Sequence, residues 1–371
     1  MKIIHVVSTF PPRIGGMGQV CFEECKRLAK QGIEVEALTP KFPDAASNDY
    51  GHLKVIFIRP IFQSPNGGLI PAVYKKIQDA QLVHLHYPFY GGAEFVWLAS
   101  KLKNKKYIIT YHMDARANGI FGIIQKIYDF ILAKKILTGA AKVITVDSDH
   151  FNNSKFGQFI VKNKVVEIFN GVDIDIFRPL SEIKKTKIIL FVGNLLSFKR
   201  FDLLLKAIAG LKESGVSVKL KVIGGGFEEN NLKKLSTEFD IDDQVEFVGQ
   251  ITDRRKLAQE YNSARCIVVS SDRGESFSLT AIESLACGTP VITSDIPGVR
   301  GRVMDSQTGY LFKSGSADDL KNKLEKMLNL SENEYQNMSR HCRQEAEKKY
   351  GWDAHVEKLA EVYKKQCNCS E

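Results

Sequence analysis

Short apolar runs alternate with amphipathic helical stretches along almost the whole chain, and that alternation restricts the fold more than any single motif. Runs at 2–8, 34–39, 54–59, 82–87, 107–112, 142–147 and 165–169 read as strands in the first half, and runs at 187–193, 218–223, 245–248, 266–271, 290–294 and 310–312 in the second. Parallel strands need a crossover of a dozen or more residues, usually a helix, so this spacing predicts βαβ units and an α/β fold. The pattern breaks at 170–180, NGVDIDIFRPL, where a turn, a proline and the charged run SEIKKTK follow one another. With 371 residues, two cores are expected rather than one. The expected domains are 1–170 and 187–350, with 171–186 as linker. From residue 317 the pattern is helical, and 352–366 carries an apolar stripe of Val356, Leu359, Ala360 and Tyr363 that must pack on something.

Composition narrows the function. Apolar residues at 44% and charged residues at 26% fit a globular protein, and no apolar run approaches the length that spans a bilayer. The N-terminal run lacks the small-residue cleavage site of a secretory signal, so a cytoplasmic protein is expected. Seven cysteines without C-x-x-C spacing fit reduced thiols, and Cys367 with Cys369 lacks the partners of a metal site. Charge is uneven: residues 1–180 hold 23 Lys+Arg against 15 Asp+Glu, and the remainder holds 29 against 28. An anionic partner is therefore expected at the first half. No nucleic-acid motif is present, so an anionic membrane surface fits better than nucleic acid. The run 119–137, GIFGIIQKIYDFILAKKIL, is a candidate for that surface, and a helix packed in the core is the alternative.

The chemistry concentrates at 274–290, GESFSLTAIESLACGTP. Glu275 and Glu283 stand eight residues apart across a loop-to-helix junction, ahead of the strand PVITSD. Open α/β sheets bind ligands at such strand edges, and the amides of Ser276, Phe277, Ser278 and Leu279 add donors at a helix start. Near the N-terminus Gly15, Gly16 and Gly18 lie between the first strand and first helix, where backbone can approach a ligand closely. The spacing is wrong for a dinucleotide fingerprint, and no acidic residue ends the second strand, EVEALTP. The pairs Asp147/Asp149, Asp173/Asp175 and Asp240/Asp242 read as caps and turns rather than as a metal-binding D-x-D.

The E-x7-E segment, together with GGMGQ, YHMD, NGVD, FVGNLLSFKRFD, VIGGG, VEFVGQ, ACGTPVITSDIPG and TGYLF in that order along the chain, resembles the retaining family 4 glycosyltransferases. The resemblance implies a GT-B fold: two Rossmann-like parallel-sheet domains facing a deep cleft, with the C-terminal helix crossing back to the N-terminal domain. It implies transfer of a hexose from a UDP- or GDP-sugar to a hydroxyl acceptor, a saccharide or lipid-linked glycan, without metal or other cofactor. By the same resemblance His112, Lys199 and Glu275 are catalytic. The donor would lie on Gly15, Gly16, Asn194, Arg200, Gln250, Ile251, Ser276, Phe277, Ser278, Leu279 and Glu283. Glu275 would hold sugar hydroxyls and Glu283 the ribose, with Asp253 close by. His84, His86 and Tyr87, which end the strand LVHLHYP, and Asp114 are candidates for the acceptor side, and a place in the core is the equal alternative for His84, His86 and Tyr87.

Two positions depart from the family pattern. Asn194 stands where an arginine is usual, so Arg200 or Arg13 would supply the second charge, and Gly301 stands where glutamate is frequent. These departures keep two other readings open, a nucleotide-sugar 2-epimerase of the same fold and a non-catalytic nucleotide-sugar-binding subunit. No carboxylate stands out as a nucleophile on the far face of the sugar, so same-face transfer is expected rather than the two-carboxylate scheme of retaining hydrolases.

Overall fold

A computed structural model describes residues 1–13, 15–43, 50–64, 67–115 and 119–368. The chain forms two compact units, Met1–Asn170 with Asp353–Glu371, and Gly171–Trp352. In the first unit the strands are β1 (Lys2–Val6), β2 (Glu34–Pro40), β3 (Lys54–Ile58), β4 (Phe62–Ser64), β5 (Gly67–Leu69), β6 (Leu82–Tyr87), β7 (Tyr107–Tyr111), β8 (Val143–Thr145) and β9 (Val165–Glu167). Seven of them form one parallel sheet in the order β3-β2-β1-β6-β7-β8-β9, and β4 with β5 forms a separate antiparallel hairpin. That hairpin escapes sequence reading because each arm is three residues long, too short for alternation to register.

Neighbouring residues of β1 face opposite sides of the sheet, and both sides are covered. Ile4 and Val6 join one apolar cluster, with Val83, Leu85 and Ile109. Ile3 and Val7 join the other, with Leu82, Cys21, Cys25, Val356, Leu359 and Tyr363. The last helix, Trp352–Asn368, therefore supplies its apolar stripe to the second face of the first unit's sheet.

The second unit holds β10 (Ile188–Val192), β11 (Lys219–Ile223), β12 (Val245–Gly249), β13 (Cys266–Val269), β14 (Val291–Ser294) and β15 (Gly309–Phe312) in a parallel sheet of order β12-β11-β10-β13-β14-β15. Each sheet runs outward in both directions from a central pair, β1 with β6 and β10 with β13. The order reverses between the members of each pair, and ligands of doubly wound sheets bind outside the C-terminal ends of such strands.

Residues 171–186, expected as a linker, are packed into the second unit. The Val172 amide donates to the Tyr350 carbonyl at 2.7 Å and the Leu180 amide to Asn262 Oδ1 at 2.9 Å. Phe177 is fully buried, edge-on to Tyr261 with ring centroids 5.9 Å apart. The turn residues marked a real boundary, but the apolar residues inside the segment give it a core to join.

Candidate active site

In the second unit the chain leaves β10 through Gly193 and Asn194, turns through the 3-10 helix Ser197–Lys199, and enters helix Phe201–Glu213. Two hydrogen bonds fasten this turn to the end of β13: Ser270 Oγ donates to the Lys199 carbonyl at 2.7 Å, and the Asp272 amide donates to the Phe198 carbonyl at 3.1 Å. The loops that follow the two central strands are thereby fixed to each other. Lys199 Nζ lies 2.8 Å from Glu275 Oε2, which also accepts from Ser271 Oγ. Burial alone would push the Glu275 carboxyl up, but the Lys199 ammonium with the Ser271 and Ser278 hydroxyls outweighs it and holds the group below its ordinary value. Glu275 is therefore an ionised carboxylate at neutral pH. Gly298, at φ 93°, lies directly against this loop, and a Cβ there would run into the Glu275 carbonyl.

Glu283 is in the opposite state. It lies in helix Leu279–Ala286, half-buried, and Tyr261 Oη donates to its Oε2 at 3.0 Å. Burial pushes this carboxyl up to about 7, against the opposing Arg254 charge and Tyr261 hydroxyl. The same helix starts at Ser278, which takes a left-handed conformation (φ 63°) as its N-cap, so the amides of Leu279 and the next residues lack intrahelical acceptors. Phe277, by contrast, turns inward: it is buried, with Arg302 stacked 4.3 Å from its ring centroid. Its contribution to a ligand is confined to backbone, and Ser276 beside it is half-buried.

The other expected donor residues fall as follows. Asn194 and Gln250 are exposed and Ile251 is half-buried, at the ends of β10 and β12. Arg200 is held by Asp202 in a two-pronged pair, both contacts 2.9 Å, with Asp272 at 3.5 Å. That engagement argues against Arg200 as the substitute for the arginine absent at Asn194. Asp253, expected near the base, caps helix Arg254–Ser263 by accepting from the Arg255 and Lys256 amides. Asp147 and Asp173 likewise accept from nearby backbone amides.

In the first unit Gly15 is the N-cap of helix Gly16–Lys30 and Gly16 its first residue, while Ile14 lies outside the described residues. Gly18 permits the helix to sit on the end of β1, since a Cβ there would come within 2.7 Å of the Thr9 carbonyl oxygen. His112 follows β7, its amide donating to the Tyr87 carbonyl at 2.9 Å and its Nε2 lying 2.9 Å from His86 Nδ1. Burial lowers its ring to about 4, so the imidazole is neutral. The acceptor-side expectation needs correction for three residues. His84, His86 and Tyr87 point into the interior with at most 1% exposure, because β6 is a central strand covered on both faces. Asp114 is tied to Tyr111 Oη and the Lys155 amide.

Sequence reading missed several partners: Ser271 beside Glu275, Tyr261 beside Glu283, and the buried group of His5, Glu24, His355 and Tyr363. Ser271 and Tyr261 carry no spacing signal. His5, in the middle of the apolar run IIHVV, and Glu24, on the apolar side of its helix, are visible anomalies in the sequence.

Two doubly wound parallel-sheet units in one chain define the GT-B fold class. Residues 14–176 match the sequence family described as Glycosyltransferase Family 4, and residues 173–349 match Glycosyl transferases group 1. An uncharacterized glycosyltransferase of Haemophilus influenzae is 30% identical over 362 residues, spanning 94% of this chain and 95% of that protein. The D-inositol 3-phosphate glycosyltransferase of Thermomonospora curvata is 26% identical, spanning 94% of this chain and 90% of its own. The solved structure of Anabaena HepE in complex with UDP superimposes with a TM-score of 0.80 at 17% identity, covering 98% of this chain and 100% of that one. The chain belongs to the family 4 glycosyltransferases.

Proposed function

We propose that this protein is a retaining hexosyltransferase that moves a hexose from a UDP- or GDP-sugar to a hydroxyl of a saccharide or lipid-linked acceptor in cell-envelope polysaccharide, glycan or glycolipid synthesis, with no metal ion at the donor diphosphate. The observation that carries this reading is the Lys199–Glu275 pair, 2.8 Å apart, at the reversal point of the second sheet. Lys199 supplies a point charge for the departing diphosphate, and the amides at the start of helix Leu279–Ala286 add dipoles of the same sign. Glu275, ionised and set by Ser271, is suited to accept from sugar hydroxyls. Glu283 is suited to the ribose. In the reaction the bond from C1 to the phosphate oxygen breaks while the acceptor oxygen bonds to C1 on the same face. The acceptor proton passes to the departing phosphate oxygen, and Lys199 stabilises the charge that remains. His112, neutral, contributes a ring nitrogen or its carbonyl beside the sugar.

The UDP bound to HepE favours a uridine donor, and the name of the Thermomonospora relative favours a phosphorylated polyol among acceptors to try first. Incubation with UDP- and GDP-hexoses and an acceptor panel, read by mass spectrometry and by NMR of the new anomeric centre, tests the reading. A glycosylated acceptor with the donor's anomeric configuration is expected. An epimerised donor without acceptor, or no turnover with any donor, would replace it with an epimerase or a binding subunit.

Membrane contact belongs to the same proposal. Helix Gly119–Tyr128, the π-turn Asp129–Ala133 and helix Lys134–Gly139 bury Ala133, Ile136 and Leu137 but expose Ile120, Ile123, Ile124, Ile127, Phe130 and Ile131, with Phe130 at 87%. The exposed residues recur every three or four positions, next to Lys126, Lys134 and Lys135. An apolar stripe of this size flanked by lysines suits an anionic lipid surface. Among the described residues no helix is long and apolar enough to cross a membrane. Among the described residues six cysteines are free and five of these are buried, which favours a reducing compartment, the cytoplasmic side of that membrane.

A further inference from the structure

The pleat of the first sheet gathers histidines on one face. His84 and His86 are two residues apart on β6, and His5 of β1 is the register partner of His84, so all three side chains emerge on the side that carries the helices Gly16–Lys30 and Trp352–Asn368. Into this group helix Gly16–Lys30 directs Glu24, which is 1% exposed. Glu24 Oε1 is 2.9 Å from His355 Nε2, whose Nδ1–H donates to the Phe169 carbonyl at 2.6 Å. Glu24 Oε2 has no hydrogen-bond partner. It faces three imidazoles, with His86 Nε2 at 3.6 Å, His5 Nδ1 at 3.7 Å and His84 Nδ1 at 3.9 Å.

Hydrogen bonding among neutral histidines accounts for the nitrogens but not for that oxygen. A consistent chain of donors and acceptors runs from Thr110 through His84, Tyr363, His5 and His86 to His112, with contacts between 2.6 and 3.0 Å. It uses both ring nitrogens of His84, His5 and His86 once each and leaves no proton for Glu24 Oε2. A buried carboxylate oxygen without a donor is costly. A cation at the centre supplies what is missing. His5 Nδ1 and His86 Nε2 are 3.0 Å apart, and with Glu24 Oε2 at 3.7 and 3.6 Å from them they form a triangle. The centre of a triangle with those sides is about 2.0 Å from every corner, the bonding distance of zinc to imidazole nitrogen and carboxylate oxygen. His84 Nδ1 is the nearest fourth donor, and the four atoms all lie within 4.8 Å of one another.

We propose that the first unit holds one structural zinc ion on His5 Nδ1, His86 Nε2 and Glu24 Oε2, with His84 Nδ1 completing four donors once it exchanges its 2.6 Å contact with Tyr363 Oη for the metal. The outer contacts have the form that metal-bound imidazoles and carboxylates require. His5 Nε2 has Tyr363 Oη at 3.0 Å, His86 Nδ1 has His112 Nε2 at 2.9 Å, and Glu24 Oε1 has His355. Tyr363 and His355 both come from the last helix, so the ion would tie that helix to β1 and β6. It would also fix His112: with zinc on Nε2, His86 must carry its proton on Nδ1 and donate it to His112 Nε2, which leaves the His112 proton on Nδ1. His86 is thus a positioning residue for His112. The site is separate from the donor carboxylates, so it concerns the architecture of the first unit and not charge neutralisation at the diphosphate.

Because the donors are fully buried, the ion is expected to load as the chain folds. The test is the metal content of the full chain, unfolded with a chelator, then refolded with or without Zn2+ and desalted. About one equivalent of zinc per chain is expected after refolding with Zn2+, together with a raised melting temperature relative to the metal-free sample. Glu24→Gln, purified with a wild-type circular dichroism spectrum, is expected to hold less than about a tenth of an equivalent. Wild-type protein that refolds with Zn2+ yet contains none, with an unchanged melting temperature, overturns the proposal. So does Glu24→Gln that retains the full equivalent. The wild-type comparison stands alone if the variant does not fold. Neither readout is sugar transfer, so failure here leaves the proposed function standing.

Discussion

Lys199 Nζ and Glu275 Oε2 are 2.8 Å apart although the two residues lie on different βα loops, one after β10 and one after β13. The Ser270–Lys199 and Asp272–Phe198 hydrogen bonds hold those loops together. The charge proposed to face the leaving diphosphate and the carboxylate proposed to face the sugar are therefore one device, preset before any ligand arrives.

Loss of either member should be felt chiefly in kcat. Lys199→Ala and Glu275→Gln are each expected to lower it by about 10² to 10³. Because Lys199→Ala strands a buried carboxylate, it should also destabilise the protein more than the Lys199→Ala/Glu275→Gln double variant does. Steady-state kinetics and urea unfolding of the three variants check this, and a variant within threefold of wild type removes that residue from the mechanism.

The two glutamates should respond to pH with opposite signs. The folded-state value of Glu275 is lowered, so it contributes stability present above its ordinary value of 4.5 and lost as pH falls through the depressed value. The value of Glu283 is raised from 4.5 to about 7, so the unfolded chain releases its proton first and stability falls as pH rises through that interval. If ribose hydroxyls donate to Glu283, nucleotide affinity should rise across about pH 7 and lose that dependence in Glu283→Gln. Calorimetric titrations at several pH values read it directly.

Gly298→Ala should damage the site from behind. The substitution combines a φ of 93° with a Cβ directed at the Glu275 carbonyl, and a strained backbone costs about 1 to 3 kcal/mol. Stability should fall by that order and kcat with it, because the loop that moves carries Glu275. A neutral Gly298→Ala in thermal unfolding contradicts the packing described.

The isoleucine face is testable without touching the chemistry. Replacing Ile123, Ile124 and Ile127 by Ser should abolish sedimentation with anionic liposomes at low salt and leave turnover on a water-soluble acceptor unchanged, since all three side chains are exposed. Undiminished liposome binding by this variant, or none by wild type, removes the membrane assignment.

Sequence reading recovered what periodicity encodes. The thirteen strands of the two large sheets fall where apolar runs predicted them, because buried parallel strands are short, apolar and separated by helical patterns. Glu275 stood out through the E-x7-E spacing and Lys199 through the family resemblance, and the structure adds that they touch. Direction was not legible. His86 and Tyr87 end an apolar strand and could face ligand or core, and only the sheet order, which makes β6 central, sends them inward. Asp253 and Arg200 had the right chemistry at the right loop, but local partners engage them, two backbone amides and Asp202 respectively. The histidine group joins residues 5, 24, 84, 86, 355 and 363, a proximity that no window along the chain can reveal.

The measurement closest to the central claim is calorimetric titration of wild type and Lys199→Ala with UDP and with GDP, in the presence of a chelator. Micromolar binding of one nucleotide by wild type, greatly weakened by Lys199→Ala, is expected. Binding of neither nucleotide by wild type, or equal binding by the variant, would contradict the assignment of Lys199 and Glu275 to a metal-independent nucleotide-sugar site.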